Sequence, residues 1–363
     1  MQEKFSPLEG IRVVDLSHVI AGPFCTFQLA QMGAEVLKIE HIDGGDVMRR
    51  SAKGAKAFAA LNAGKKKIRL DIAAAEDRAQ IVALARDADV FVDNLRPGIL
   101  EARGLGYKAL KAVNPRLIYC SISGFGCTSG SPGRPAYDHV VQAATGMTMA
   151  TGNEGDPPTK IGFPLIDIAA GILGALAIVS ALRERDRTGQ GLLLDVSLAS
   201  AALQLMYPMT CEALTDGTVP VRTGSQAFSG SPAADLFATR NGGWIAIAAN
   251  TPRQFANLLR VLDLAEMGRD PGLFEPAVDP AAPAGFLSAK NPSAVKAALR
   301  TCFANLDAAE AESRLTSAGV PAARVRTLPE FARAADEAGT IAAVTLEDEG
   351  ATVKSPGLGF QVS

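Results

Sequence analysis

The sequence predicts an α/β protein with a large domain on a doubly wound parallel sheet and a smaller α+β domain. Two observations lead to this fold class. Short runs rich in β-branched residues alternate with helical stretches over about the first 205 of the 363 residues. Beyond that point polar, turn-rich and Pro/Ala-rich stretches separate a few further elements.

The first elements form a β-α-β unit. "IRVVDLS" (11–17) is a predicted strand, "AGPFCTFQLAQMG" breaks at Gly22-Pro23 and then predicts a helix ending at Gly33, and "AEVLKIEH" (34–41) is a second strand. A helical crossover implies parallel pairing, as in a Rossmann-like domain. Glu40 lies where a ribose-binding acid would fall, but the turn "SHVIAGPF" lacks the G-x-G-x-x-G that binds a pyrophosphate.

The same alternation continues along the chain. Further strands are predicted over "DVFVDN" (89–94), "RLIYCSIS" (116–123) and "GLLLDVSL" (191–198), with helices over "DRAQIVALARDA", "YKALKAVN", "AYDHVVQAATGMTMATG" and "ASAALQLM". The apolar run "IAAGILGALAIVSAL" (168–182) is shorter than a membrane span and ends at "RERDR", so it predicts a buried helix.

Domain boundaries follow from where this pattern stops. We predict a large domain over 1–205, a linker over 206–219 and a small domain over 220–325. The carboxyl-terminal stretch of about 326–363 alternates like strands and is expected to complete the large domain.

Composition and charge narrow the function classes. Hydrophobic residues make up 48% of the chain, which indicates a globular protein. Its formal charge is −2 and its pI is about 6.0, so it lacks the net positive charge that is typical of nucleic-acid-binding proteins. "MQEKFSPLEG" has no apolar signal segment, and five cysteines without CxxC spacing indicate neither a disulfide framework nor a zinc site. The cysteine pattern fits a reducing cytoplasm, and with only three histidines we expect no resident metal.

Asp167 is the one charged residue in "IGFPLIDIAAGILGALA" (161–177). A carboxylate in such a run is costly unless it is hydrogen-bonded or lies at a pocket wall. One interpretation is an N-cap of the following helix, and the other is a functional acid; a helix N-terminus favours negative charge in both cases. Gly162, Gly171 and Gly174 either pack the helix closely or let a ligand approach.

Four ordered segments carry a family resemblance. They are "LEGIRVVDLSHVIAGPFCTFQLAQMGAEVLKIEHIDGGDVMR", "FVDNLRPGILEARGLGYKALKAVNPRLIYCSISGFG", "PAYDHVVQAATG" and "GFPLIDIAAGILGALAIVSALRERDRTGQGLLLDVSLASA". Together they resemble the class III CoA-transferase family, also called the CaiB/BaiF family, which includes formyl-CoA transferase and the related α-methylacyl-CoA racemases. The resemblance is dense over about the first 200 residues and looser beyond them.

The resemblance implies an enzyme that moves coenzyme A between an acyl-CoA thioester and a free carboxylic acid. Asp167 matches the family's nucleophile, which forms an aspartyl anhydride and then an aspartyl-CoA thioester. A carboxylate ionised at neutral pH would need no base for this attack. The family also implies an interlocked homodimer, and its other partners are acyl-CoA and small carboxylic acid substrates.

The resemblance also implies which residues of this chain contact coenzyme A. Positions that match the family's CoA site are His18, Ile20, Ala21, Leu70, Asn94, Leu95 and Tyr137. His41 stands where a formyl-CoA transferase has an arginine that contacts CoA. Arg96, Arg103 and the "KKK" of 65–67 are candidate cations for the CoA phosphates.

Three alternatives stay open at this point. An α-methylacyl-CoA racemase would need a histidine in a "GHD" triplet, where this chain has "AYD" with Tyr137, and His139 lies two residues further on. A nicotinamide (NAD) oxidoreductase is disfavoured because the glycine fingerprint is missing. A non-catalytic CoA-binding protein would share the CoA contacts without turnover.

Overall fold

The structure is a computed structural model that describes residues 5–50, 54–128, 133–283, 285–341 and 343–362. These residues divide into two compact units. The larger unit takes its described residues from Met1–Ala150, Pro158–Pro220 and Gly339–Ser363. The smaller unit consists of described residues from Thr151–Pro157 and Val221–Ala338.

The larger unit is built on a parallel sheet, which confirms the doubly wound architecture. Its described strands have the order β3-β2-β1-β4-β5-β6. They are β1 (Arg12–Leu16), β2 (Glu35–His41), β3 (Lys66–Leu70), β4 (Val90–Asp93), β5 (Ile118–Ser123) and β6 (Leu193–Ser197). The strand order reverses between β1 and β4, and ligands bind beyond the carboxyl ends of strands at such a switch point.

Helices cover both faces of this sheet. In chain order the described helices of the larger unit are α1 (Ala21–Gln31), α2 (Ala55–Asn62), α3 (Ala75–Asp87), α4 (Tyr107–Val113), α5 (Asp138–Ala144), α6 (Met147–Ala150), α7 (Leu165–Thr188), α8 (Leu198–Leu205) and α9 (Tyr207–Asp216). Helices α1 and α7 pack together, and a Cβ at Gly171 would lie 2.8 Å from the Ala21 carbonyl oxygen. Gly171 and Gly174 therefore serve close helix packing.

Helix α7 has 24 residues, and an 18-residue window of it has a mean hydropathy of 2.3. By length and composition alone it would be long enough to cross a membrane, but 44% of that window is buried inside the chain. Ile178 is fully buried, whereas Ile172 and Leu176 are 50% and 61% exposed. The prediction of a buried helix is therefore right for one face and wrong for the other.

The smaller unit combines an antiparallel sheet with helices, as expected for an α+β domain. Its described strands are β7 (Ala234–Ala238), β8 (Trp244–Ala248) and β9 (Ala322–Arg324), and its helices are α10 (Pro252–Val261), α11 (Pro292–Phe303), α12 (Ala308–Ser317) and α13 (Leu328–Glu337). Phe237, Phe255, Phe274 and Phe303 are buried together in its core. Their packing makes this unit a compact body with its own apolar core.

A carboxyl-terminal hairpin completes the larger unit. Its antiparallel strands are β10 (Val344–Asp348) and β11 (Ala351–Ser355), and they pack on α2. Lys67 of β3 forms an ion pair with Asp348, and Arg49 forms another with Glu349 at 2.7 Å. These pairs bring the hairpin to the edge of the parallel sheet.

Several predicted boundaries differ from the structure. Helix α1 begins at Ala21, so Gly22-Pro23 lies inside its first turn, where proline loses no helical hydrogen bond. The predicted linker over 206–219 contains α9, and the chain rejoins the larger unit near 339 instead of 326 because α13 belongs to the smaller unit. The helix predicted through "AYDHVVQAATGMTMATG" is broken between α5 and α6, at Gly146, which has a φ of 81°.

Candidate active site

Asp167 is the third residue of α7 and is partly exposed. The helix has Pro164 at its N-cap position, with no side-chain capping bond from that residue. The capping oxygen comes from Asp138 on α5, whose Oδ2 accepts the backbone N–H groups of Ile166 at 2.7 Å and Asp167 at 3.1 Å. The interpretation of Asp167 as an N-cap is therefore wrong.

Asp138 is 8% exposed and is itself held by a side chain one turn along α5. Gln142 Nε2 donates to Asp138 Oδ1 at 2.6 Å, and Gln142 Oε1 accepts the backbone N–H of Ile161 at 2.8 Å. Asp138 is the aspartate of the "AYD" triplet, and its role was not predicted from the sequence. Asp138 and Gln142 are four residues apart in a predicted helix, where side chains at this spacing lie next to each other. This spacing could have predicted their hydrogen bond.

The protonation of Asp167 also differs from the expectation. Burial, reinforced by the negative charge of Asp138, raises the pKa of Asp167 to about 7. The carboxyl is therefore near the midpoint of its titration at neutral pH and is not fully ionised. A shifted carboxyl in a cleft is typical of an acid with a chemical role.

A small cleft of about 100 Å³ opens beside Asp167 in the larger unit. It brings together six of the residues predicted from the sequence, namely His18, Ile20, Ala21, Asn94, Tyr137 and Asp167. The other lining residues include Ser123 and Gly124, at the carboxyl end of β5. The cleft thus lies at the switch point of the sheet, where the β1, β4 and β5 ends meet.

The loop after β1 enters this cleft in a strained conformation. Val19 has a φ of 65°, which is rare for a β-branched residue. Asn94 holds the preceding residue on both sides, since its Oδ1 accepts the His18 N–H at 2.9 Å and its Nδ2 donates to the His18 carbonyl at 2.7 Å. Asp46 Oδ2 accepts the Val19 N–H at 3.2 Å. A strained backbone conformation that is held by several hydrogen bonds is characteristic of functional loops.

His18 is the residue shared between this cleft and a second cavity. Burial lowers the pKa of His18 below its usual range, although Asp46 opposes the shift. The imidazole is therefore neutral at pH 7, because its ordinary pKa is already near 6.5. A neutral histidine here offers one hydrogen-bond donor and one acceptor.

The second cavity measures about 450 Å³ and lies beyond the carboxyl ends of the first four strands. Three more predicted residues, His41, Leu70 and Leu95, line it together with His18. Arg50 also lines it and is a cation that was not predicted from the sequence. Apolar walls with a few polar groups at a sheet switch point are typical of a nucleotide-like ligand site.

The other predicted cations are not brought to either cavity. Arg96 is exposed, and Arg103 is half-buried and donates to the Ile99 carbonyl at 3.1 Å. Glu40, considered as a ribose ligand, instead accepts two hydrogen bonds from Arg49 at 2.7 Å each. Both oxygens of Glu40 bind that guanidinium, which argues against a ribose ligand, although Glu40 also lines the larger cavity.

The "KKK" stretch does not form a phosphate-binding cluster. Lys65 is buried and pairs with Asp15 at 3.0 Å, Lys66 is exposed and lies 3.7 Å from Glu35, and the amine of Lys67 contacts Asp348. Burial opposes ionisation of Asp15, but Lys65 and Lys38 outweigh it and lower the pKa of Asp15 to about 2. Burial lowers the pKa of Lys65 to about 8. Lys65 and Lys67 are held in ion pairs, and none of the three lysines lines either of the two cavities that contain His18.

The comparisons with known proteins agree on one family. Residues 8–363 match the model of CoA-transferase family III. An acyl-CoA transferase of Fusarium pseudograminearum is 39% identical over 73% of this chain and 60% of its own length. An acetyl-CoA:oxalate CoA-transferase of Acetobacter aceti is 36% identical over 90% of this chain and 82% of its own length. The crystal structure of a CaiB/BaiF family protein from Brucella suis is 30% identical, with a TM-score of 0.79, 96% of this chain covered and 90% of the other.

Proposed function

Because this chain belongs to CoA-transferase family III, we propose that it moves coenzyme A from an acyl-CoA thioester to a free carboxylic acid. The family membership confirms the resemblance noted in the sequence. The observation that carries the proposal is the position of Asp167 in a cleft that adjoins, through His18, a cavity with residues of the family's CoA site.

The proposed course uses Asp167 as nucleophile. An ionised Asp167 oxygen attacks the thioester carbonyl, the C–S bond breaks, and CoA thiolate leaves behind an aspartyl anhydride. The thiolate then attacks the aspartyl carbonyl and releases the donor acid, giving an aspartyl-CoA thioester. The acceptor carboxylate displaces CoA to form a second anhydride, and thiolate attack on its acyl carbon yields the new acyl-CoA and regenerates Asp167.

Backbone N–H groups of α1 are the proposed stabilisers of the oxyanions in these steps. Ala21 and Gly22 begin the helix, so their N–H groups have no carbonyl acceptor one turn earlier within it. Ala21 lines the cleft with Asp167, and its carbonyl lies next to Gly171 of α7. The positive end of the helix dipole also favours developing negative charge there.

We place the CoA nucleotide in the 450 Å³ cavity. His41, Leu70 and Leu95 line it, and Arg50 supplies a cation for a phosphate. His18 borders both cavities, so a thioester at the end of the pantetheine arm would meet Asp167 in the smaller cleft. Arg96 and Arg103 are left out of this assignment.

A homodimer is part of the proposal. The outer sides of α7, α8 and α9 expose large apolar side chains, among them Leu176, Leu203, Leu205 and Tyr207. Several exposed large apolar side chains on consecutive helices are typical of an interface. The family implies that the two chains interlock. Free thiols at all five cysteines fit the proposed reducing, cytoplasmic location.

The experiment is a panel of acyl-CoA donors and free acids, with acetyl-CoA and oxalate as the first pair, in D₂O. Mass spectrometry of the CoA products should show new donor-acceptor esters that disappear in Asp167→Asn. Deuterium at the acyl α-carbon without exchange of the acyl group would overturn the proposal in favour of a racemase. His139 is exposed, stacks on Tyr137 and does not itself line the cleft, which supports transfer over racemisation.

A further inference from the structure

The hairpin β10–β11 is joined to the cavity-forming part of the larger unit by charged side chains. Lys67 and Asp348 form a pair whose side chains are only 10% and 4% exposed. Arg49 donates to Glu349 at 2.7 Å, although the two residues are 300 positions apart in the chain. The hairpin is therefore tied both to the sheet edge and to the segment that precedes α2.

Arg49 links the hairpin to a buried acid. Its Nε and one terminal nitrogen donate to the two oxygens of Glu40 at 2.7 Å each, and Glu40 has a side chain 1% exposed. The guanidinium also lies 3.9 Å from the ring centroid of Phe58 on α2. These contacts with Glu40, Glu349 and Phe58 fix the orientation of the planar guanidinium. A lysine ammonium at this position would not be oriented in the same way.

Glu40 in turn fixes the segment that lines the larger cavity. Its Oε2 accepts the backbone N–H of Asp46 at 2.9 Å. Gly45, just before, has a φ of 69°, and a Cβ there would lie 2.3 Å from the same oxygen. The backbone thus passes against Glu40 so closely that only glycine fits.

Asp46 carries the connection to the strained loop beside Asp167. Its carboxylate accepts the N–H groups of Met48 at 2.9 Å and Val19 at 3.2 Å. Hydrogen bonds and ion pairs therefore run without interruption from Glu349 through Arg49, Glu40 and Asp46 to the Val19 backbone. Gly45, Asp46 and Arg50 line the larger cavity along this path.

We propose that the hairpin β10–β11, acting through Glu349 and Arg49, is a positioning element for the acyl-CoA site. It holds the 43–50 segment and the loop at Val19 in the arrangement that receives the CoA thioester. The proposal rests on the proposed function, and it assigns to Arg49 and Glu349 an effect on thioester affinity without contact with substrate or with Asp167.

The test separates affinity from turnover in two variants. Arg49→Lys keeps the positive charge but loses the paired hydrogen bonds to the two oxygens of Glu40. We expect the KM for the acyl-CoA to rise about ten-fold, while kcat stays within about two-fold of the wild-type value. Glu349→Gln breaks only the exposed end of the path and should raise KM about three- to five-fold. Glu347→Gln is the matched control, because this exposed acid of the same hairpin bonds only to Thr352 among the described contacts.

Calorimetric titration with a non-reactive thioether analogue of acetyl-CoA gives the affinity without turnover. Weaker binding in Arg49→Lys and Glu349→Gln, but not in Glu347→Gln, would support the proposal. Unchanged KM and affinity in both variants, with or without a lower Tm, would overturn it, as would a loss confined to kcat. If the wild-type protein binds the analogue but moves no CoA from any donor to any acceptor acid, the proposed function is wrong.

Discussion

The carboxylate of Asp138 accepts the backbone N–H of Asp167 at 3.1 Å, so the two acids are joined through the main chain of α7. This contact stabilises the first turn of the helix, while the charge of Asp138 opposes ionisation of Asp167. Asp138 thus fixes the first turn that carries the proposed nucleophile, and it adds to burial, the larger cause, in raising the pH at which that acid becomes reactive.

Removing the proposed nucleophile should abolish transfer. Asp167→Asn keeps the size of the side chain but cannot form an anhydride, so kcat should fall at least about a thousand-fold. Affinity for the thioether analogue should stay within a few-fold. Steady-state transfer assays and calorimetry measure the two quantities. Asp186→Asn, an exposed acid on the same helix, is the control, and full activity in Asp167→Asn would exclude the mechanism.

The activity should depend on pH through the raised pKa of Asp167. Only the ionised carboxyl is nucleophilic, so kcat/KM should rise with pH to a plateau above about pH 8, with an inflection near 7. Below the inflection the value should fall about ten-fold per pH unit. An acidic limb at pH 4 to 5 would mean that burial and Asp138 do not control this group.

Asp138→Ala should change both position and ionisation. Without the cap, the protein should lose about 1 kcal/mol of stability, and kcat should fall about ten- to hundred-fold as the first turn of α7 loosens. Without the neighbouring charge, the acidic limb of kcat/KM should move to lower pH. Asp307→Ala removes a comparable cap from α12 in the smaller unit. If it shifted the pH profile equally, the effect of Asp138 would not be local.

The raised pKa of Asp167 should also make the stability of the folded protein depend on pH. The folded chain holds a proton on Asp167 up to about pH 7, whereas the unfolded chain releases it near 3.8, so this group makes folding less favourable as pH rises from about 4 to 7. Asp167→Asn should therefore raise Tm more at pH 8 than at pH 4. Thermal unfolding at both pH values measures this difference, and equal shifts would contradict it.

The buried pair of Lys65 and Asp15 should be needed for folding. Lys65→Met leaves the Asp15 carboxylate buried without its 3.0 Å partner and should cost about 3–5 kcal/mol. Lys66→Met, at a neighbouring but exposed side chain, should cost no more than about 0.5 kcal/mol. Urea denaturation of both variants gives the comparison. Equal midpoints would show that the pair is dispensable.

The sequence predicted those features that depend on local pattern. Five of the six strands of the parallel sheet, the helix that contains Asp167 and the loop at His18 follow from alternation of apolar runs or from ordered motifs. The sixth strand, β3, was not predicted from such a pattern, because the lysines at its start suggested a charged cluster. Contacts between distant segments were not predictable in this way. The cap from Asp138 spans 29 positions, and the pairing of Lys65 with Asp15 spans 50. A run of three lysines looks alike in sequence whether its members are buried, exposed or paired.

The division of the chain also has a consequence for its synthesis. All segments of the smaller unit, from Thr151 to Ala338, leave the ribosome before Gly339–Ser363, which the larger unit needs for its hairpin. The smaller unit can therefore be complete while the larger one still lacks the partners of Arg49 and Lys67. Since domains generally fold as units during translation, the nascent larger unit must wait with α2 and the edge strand β3 uncovered by the hairpin. During that interval the surface of α2 that the hairpin later covers stays open to a chaperone.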